Sequence, residues 1–309
     1  MTEMEPETQS QFLSARQSLP LDSTAELVTR IAAQLGSQLS HVRLNGSRKP
    51  MPTTARPALA RPPRPALVAV AHGSRDPRAL RTVTALLDLV RELRPGLDVR
   101  LGHIEIDEPA LPATLAELGA GRAVLVPLLL SRGYHVKQDI PAAVADAPRL
   151  RTRVARPLGP HPLLVEALYE RLVEAGWDDD PRARGAGGVV LAGAGSRDPE
   201  SAADTRRTAA MLSERLGGVP VVPAYASAAA PTVPEALRAL AARGRHRVAI
   251  ASYFTAPGRF ATQSAAHARG VAAAPLGAHP AVARLVLTRY DQALAAAPFS
   301  APHRELATA

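Results

Sequence analysis

The stretch LVAVAHGSRDP (67–77) decides the fold. Leu67 to Ala71 is an unbroken apolar run, the pattern of a parallel strand covered by helices on both faces. Asp76 and Pro77 then offer an N-cap oxygen and a first-turn proline, which predicts a helix running to about Leu93. Working outward, DVRLGHI (98–104) reads as a second strand, EPALPATLAELGA (108–120) as a helix, and AVLVPLLL (123–130) as the third and most apolar strand. SRGYHVKQDIP (131–141) reads as a polar loop, RTRVARP (151–157) as a fourth strand and His161 to Ala175 as a closing helix. Strands and helices alternating in this order predict a parallel α/β sheet with right-handed crossovers.

The same programme then returns. AHGSRDP (71–77) recurs as GAGSRDP (193–199), Glu108-Pro109…Pro112 as Ala230-Pro231…Pro234, and PLGPHP (157–162) as PLGAHP (275–280). Three co-linear matches at equivalent element boundaries indicate a duplication. The core is therefore expected to be two α/β halves, 66–178 and 186–297, joined by Asp178-Asp179-Asp180-Pro181 and a run containing Gly185, Gly187 and Gly188. Residues 1–65 read as a disordered basic leader, proline-dense from Pro50 to Pro65, and residues 298–309 as a tail. Within the leader, Ser23 and Glu26 have capping-box spacing ahead of Leu27, Val28, Ile31 and Leu35, which predicts a short helix.

Composition narrows the chemistry. Cysteine is absent from the chain, which excludes disulfides, Cys-ligated zinc, iron–sulfur centres and a cysteine nucleophile. The formal charge is +9 and almost all of it is arginine, because the lysines are only Lys49 and Lys137. Arginine's planar fork suits carboxylate or phosphate. Aromatic residues make up 3% of the chain, too few to build stacking platforms for single strands, so no nucleic-acid partner is expected. No apolar run approaches the roughly 20 residues of a membrane span. The N-terminus MTEMEPETQSQ is polar and acidic, unlike a secretory signal, and the expectation is a soluble, cytoplasmic protein with no membrane partner.

A duplication also supplies an internal comparison, since equivalent positions share a backbone but need not share chemistry. His72 has Ala194 as its counterpart, His103 has Tyr225, Glu105 has Ser227, and His135 has Phe260. Ligands of open parallel sheets sit beyond the carboxyl ends of the strands. His72 closes strand one, Glu105 ends strand two and His135 follows strand three, so three ligand-type side chains are expected on one rim. Two imidazoles and a carboxylate suit a divalent first-row metal. His161 and His279 occur in both halves, each before a proline at a helix start, and read as structural. The Gly73-Ser74 turn lacks a Walker lysine and a G-x-S-x-G frame, which argues against both a phosphate cradle and a serine nucleophile.

AHGSRDP (71–77), HIEIDEP (103–109) and VPLLLSRGYHVKQDIP (126–141) together resemble the sirohydrochlorin chelatases, the class II chelatases of CbiX and SirB type. The likeness covers about 66–175 directly and 186–297 as a degenerate copy. It implies two tandem three-layer α/β/α units facing across a cleft. It also implies insertion of a divalent metal, Fe2+ or Co2+, into the tetrapyrrole sirohydrochlorin, with the metal as substrate and no organic cofactor. By position, His72 and His135 resemble the family's metal-binding pair, with His72 its proton acceptor and Glu105 the family's acidic position. Leu130, Ser131, Arg132, Gly133 and Tyr134 would line the macrocycle pocket.

The absence of a His-rich tail and of a cysteine motif for a redox cluster, features of some longer cobalt enzymes, tilts the metal toward iron. Arg75 and Arg132 are candidates for attracting the macrocycle's carboxylates. The second half is expected to form the opposite wall, giving a fused two-half monomer. A different class of protein, one that holds tetrapyrrole or metal without turnover, would need the same residues.

Overall fold

The computed structural model describes residues 64–178, 185–296 and Phe299. These fall in one compact unit, Pro62–Ala309. The helix expected at Ser23 to Leu35 and the rest of the basic leader lie outside the described residues, as does the tail apart from Phe299.

The first half runs β1 (Ala66–Ala71), α1 (Pro77–Leu93), β2 (Val99–His103), α2 (Leu111–Leu118), β3 (Gly121–Pro127), α3 (Ile140–Ala145), β4 (Leu150–Val154) and α4 (Pro162–Glu174). The second runs β5 (Gly187–Gly193), α5 (Pro199–Arg215), β6 (Val221–Tyr225), α6 (Val233–Ala241), β7 (Arg247–Tyr253), α7 (Arg259–Ala265) and α8 (Pro280–Ala295). Among the described residues, one parallel sheet has the order β2-β1-β3-β4 and the other β6-β5-β7. The counterpart of β4 in the second half is reduced to a bridge between Ile250 and Ala272. No helix among these residues is long and apolar enough to cross a membrane.

Each central strand is buried on both faces, as its unbroken apolar run requires. In β1, Val68 and Val70 join Leu111 and Leu115 of α2 in an outer core, while Leu67 and Ala69 face inward. In β5, Val190 and Ala192 pack outward with Ala236 and Leu240 of α6, and Val189 and Leu191 face inward. The inward faces of both sheets open onto one continuous apolar cluster contributed by α1, α4, α5 and α8. Each half therefore has its three layers, but the inner helical layer is common to both.

The closing helices exchange partners in that layer. Helix α4 ends the first half yet packs on β7, and α8 ends the second half yet packs on β3. The repeated PLG turns record the same exchange. Arg289 of α8 donates to the Leu158 carbonyl at 2.8 Å, and Arg171 of α4 donates to the Leu276 carbonyl at 3.0 Å. The histidines of these turns cap the closing helices. His161 Nδ1 accepts from Leu163 N–H and His279 Nδ1 from Ala281 N–H, both at 3.1 Å. Burial, together with the nearby Arg289 guanidinium, holds His161 below the usual imidazole range, which favours the neutral, accepting ring.

The shared Gly-Ser-Arg-Asp-Pro block has an equally local cause. Gly73 (φ 101°) and Gly195 (φ 92°) each bring the chain against the turn after the next strand. A Cβ on Gly73 would lie 1.8 Å from the Glu105 carbonyl oxygen, and one on Gly195 1.9 Å from that of Ser227. The serines accept from the amides of Asp76 and Asp198 at 3.1 Å, and those aspartates cap α1 and α5. The block therefore builds a turn in both halves, whether or not a histidine precedes it.

One stretch differs from its sequence reading. Residues 131–141 were expected to be loop, but His135–Asp139 forms a π-helical turn continuous with α3. The run is too short to show a helical stripe, and only Ile140 and Ala143 of its second part are buried in the core. Pro141 fits because it falls in the first turn of α3.

The glycine contacts make a direct prediction. Gly195→Ala, in the turn that no histidine precedes, should destabilise the protein as Gly73→Ala does, each by more than about 1 kcal/mol in chemical denaturation. A neutral Gly195→Ala would mean that the second turn is not a constrained copy of the first.

Candidate active site

His72 leaves the end of β1, and its carbonyl accepts from Glu105 N–H at 3.0 Å. Ile104 N–H similarly donates to the Ala71 carbonyl at 2.9 Å, so the turn after β2 is stitched to the turn after β1. Asp107 completes the stitch by accepting the Ser74 amide at 2.8 Å. That amide is thereby engaged, as is the Ser74 hydroxyl, in keeping with neither a phosphate cradle nor a nucleophile. The second half has Ala229 at the position of Asp107 and keeps the backbone bonds, Ala226 N–H to Gly193 and Ser227 N–H to Ala194, with Ser227 Oγ adding a bond to the Ala194 carbonyl at 3.1 Å.

His135 arrives from the other side, at the start of the π-helical turn after β3. Its ring lies 4.6 Å from that of His72, centroid to centroid, at an interplanar angle of 85°. The i,i+4 partner Asp139 accepts from His135 Nδ1 at 2.6 Å. An ionised carboxylate can only accept, so the proton sits on Nδ1 and the lone pair of the neutral ring is at Nε2. His72 Nδ1 lies 3.2 Å from the Gly73 carbonyl, also acceptor-only, which favours the same tautomer. Two nearly perpendicular imidazoles thus present Nε2 lone pairs on one rim.

The third expected ligand does not close on them. Among the described residues no group of three or more His, Cys, Asp or Glu side chains is arranged to hold a metal ion. Glu105 stands exposed at the end of β2, tied to His72 through the backbone. His103 is buried, with Nδ1 3.2 Å from the Pro109 carbonyl, a structural contact.

Residues 130–134 divide between interior and rim. Leu130 packs against the shared core, with its carbonyl accepting from Tyr253 Oη at 2.8 Å. Ser131 Oγ meets Ser201 Oγ at 2.8 Å. Arg132, expected to meet the substrate's carboxylates, is instead engaged by Asp204 at 2.7 Å and by Glu200. The attraction of a buried carboxylate is less screened by solvent and salt than that of a hydrated one. A Cβ on Gly133 would lie 3.7 Å from Ser196 Oγ, so the chain passes close to the second half there. Tyr134 is 67% exposed beside His135, and Ile106, at φ 71°, is 58% exposed on the turn after β2. These two are the large apolar surfaces left on this rim. Arg75 is exposed and has no ion pair among the described residues.

Sequence reasoning missed Asp139, Asp107 and Ile106. The i,i+4 spacing of His135 and Asp139 was the available signal, but it has meaning only once the segment is known to be helical. Asp107 and Ile106 carried no signal, because a hairpin-like contact between two crossover turns is not written in either turn.

The chain is 29% identical over 177 residues to the sirohydrochlorin ferrochelatase of Bacillus subtilis, a match covering 55% of this chain and 66% of that one. It is 28% identical over 192 residues to the sirohydrochlorin cobaltochelatase of Priestia megaterium, covering 60% and 62%. The chain thus spans somewhat less than two thirds of the length of these relatives. Among solved structures, Bacillus subtilis SirB with Fe3+ superposes with a TM-score of 0.62 at 26% identity, covering 75% of this chain and 96% of that one. The CbiX family model matches twice, at residues 66–175 and again at 188–293, once on each half of the duplicated fold. By that double match, and by the two α/β units it falls on, the chain belongs to the CbiX family.

Proposed function

We propose that the protein is a sirohydrochlorin chelatase, exchanging the two pyrrole N–H protons of the macrocycle for one divalent metal ion. The observation that carries this reading is the His72–His135 pair at 4.6 Å, present in one half and replaced in the other. The family match and the relatives' names support the substrate class.

The reaction needs a group that holds a partly dehydrated cation and a group that receives protons near neutral pH. A neutral imidazole can do either. His135, with Asp139 on its Nδ1, is fixed in one tautomer and suits the holding role. His72 is exposed and unsupported by a carboxylate, and suits proton acceptance. Glu105, exposed beside it, supplies negative charge at the rim where the hydrated cation arrives and the protons leave. Tyr134 and Ile106 offer apolar surface to a flat ring, while Leu130, Ser131 and Gly133 set the backbone beneath it. Arg75 attracts the ring's peripheral carboxylates, whereas Arg132 acts through the second half. Iron is the metal we propose. Cobalt fits the same imidazoles, and both belong in the experiment.

Anaerobic incubation with sirohydrochlorin and Fe2+ or Co2+, followed by absorbance, should give many metallated products per chain. A single product per chain would leave only a binding protein. His72→Ala and His135→Ala should each lower kcat/KM by at least about 100-fold, since each removes a group touching the reacting atoms. The exposed His267→Ala should leave it unchanged. Retained turnover in the first two would overturn the site.

Asp139→Asn tests the tautomer separately. An amide N–H donated to Nδ1 moves the ring proton to Nε2, and Co2+ affinity in titration calorimetry should fall about 10–100-fold.

A further inference from the structure

The two halves meet at their carboxyl rims by reciprocal contacts, and the reciprocity fails in one place. Each half sends the loop after its third strand over the helix start of the other. A Cβ on Gly258 would lie 3.4 Å from Ser74 Oγ, just as one on Gly133 would lie 3.7 Å from Ser196 Oγ. Over the second half, however, the loop of the first is gripped by ions. Asp204 takes the Arg132 guanidinium at 2.7 Å and its backbone amide at 3.0 Å. Glu200 joins the same guanidinium, and Lys137 Nζ lies 2.6 Å from both Asp198 and Glu200.

The mirror positions carry none of this. Glu200, Ser201 and Asp204 correspond to Arg78, Ala79 and Thr82, and the mirror loop is Ala256-Pro257-Gly258. Asp76, the counterpart of Asp198, pairs with Arg78 on its own helix at 2.7 Å. The carboxylates of Glu200 and Asp204 occur only in the half where they reach the loop that carries His135. They also bracket it, since Arg132 lies three residues before His135 and Lys137 two residues after.

We infer that the second half serves the reaction by clamping this loop, with Asp198, Glu200 and Asp204 as positioning residues that fix His135 against His72. The inference rests on the chelatase reading above. Asp204 is 6% exposed at its side chain, so its charge is poorly screened from Arg132. Burial opposes its ionisation, yet the hydrogen bonds from Arg132 hold its carboxyl below the usual range. A second half without metal-binding imidazoles is thereby retained for a physical reason.

The test compares Asp204→Asn, Arg132→Met, the double variant and the mirror variant Thr82→Ala in the full chain, each with its melting midpoint. A clamp predicts that kcat falls about 10–100-fold in either single variant, the loss found for groups that orient a ligand from behind. KM for sirohydrochlorin should change by no more than about 2-fold, because the macrocycle's own contacts remain. The double variant should be no worse than the poorer single one. Asp204→Glu should recover part of the loss, and Thr82→Ala should show none.

Losses that add, or that track the melting midpoint with kcat of the folded protein unchanged, would reduce the ion pairs to glue between halves and overturn the inference. Co2+ titration without tetrapyrrole separates this from a failure of the chelatase reading. If the wild type shows no turnover, weaker Co2+ binding in Asp204→Asn still upholds the clamp, and unchanged binding ends it.

Discussion

Everything in this molecule depends on one packing requirement: two parallel sheets, each apolar on both faces, have to be covered four times. The outer faces are covered within each half, by α2 and α3 on one sheet and by α6 on the other. The inner faces are covered in common, by α1, α4, α5 and α8 in a single apolar cluster. Removing either half would expose the inner face of the remaining sheet and strand its own closing helix. That constraint joins the halves through apolar burial, which scales with area, and the shared cluster has more buried residues than either outer one. It also brings the two carboxyl rims together, so that Arg132 of one half reaches Asp204 of the other.

Duplication then allowed the halves to diverge in chemistry without diverging in backbone. Gly73 and Gly195 make the same close approach, Ile106 and Ala228 both have positive φ (71° and 57°), and the Arg289 and Arg171 contacts to the PLG turns are exchanged symmetrically. On that common frame one half carries His72 and His135, while the other has Ala194 and Phe260. The second half instead carries carboxylates at the start of α5. Their position explains why Arg132, placed by its sequence neighbourhood beside the macrocycle, is held from behind by Asp204 and Glu200.

The strands, their succession along the chain and the duplication were legible in the sequence because each is a local pattern repeated. Unbroken apolar runs mark doubly covered strands, Asp-Pro marks a helix start, and three matched motifs mark a copy. The pairing of His72 with His135 was legible too, because parallel topology sends consecutive strand ends to one rim. What could not be read lies in contacts between segments. Asp139 supports His135 only after residues 135–139 become helical, and the stitch from Asp107 to Ser74 joins turns 33 residues apart. The exchange of closing helices leaves no mark in either helix, since the same amphipathic stripe serves whichever sheet it meets.

By itself, then, the sequence determined two α/β copies, the turns that begin each one, and the confinement of the imidazoles at the His72 and His135 positions to the first. All of these follow from covalent order and short-range physics. Only the tertiary structure decided which sheet each closing helix covers, that Glu105 does not complete a three-ligand set with the imidazole pair, and which arginine is occupied. Those outcomes depend on distances between residues far apart in the chain, and such distances are set by how the shared apolar layer packs.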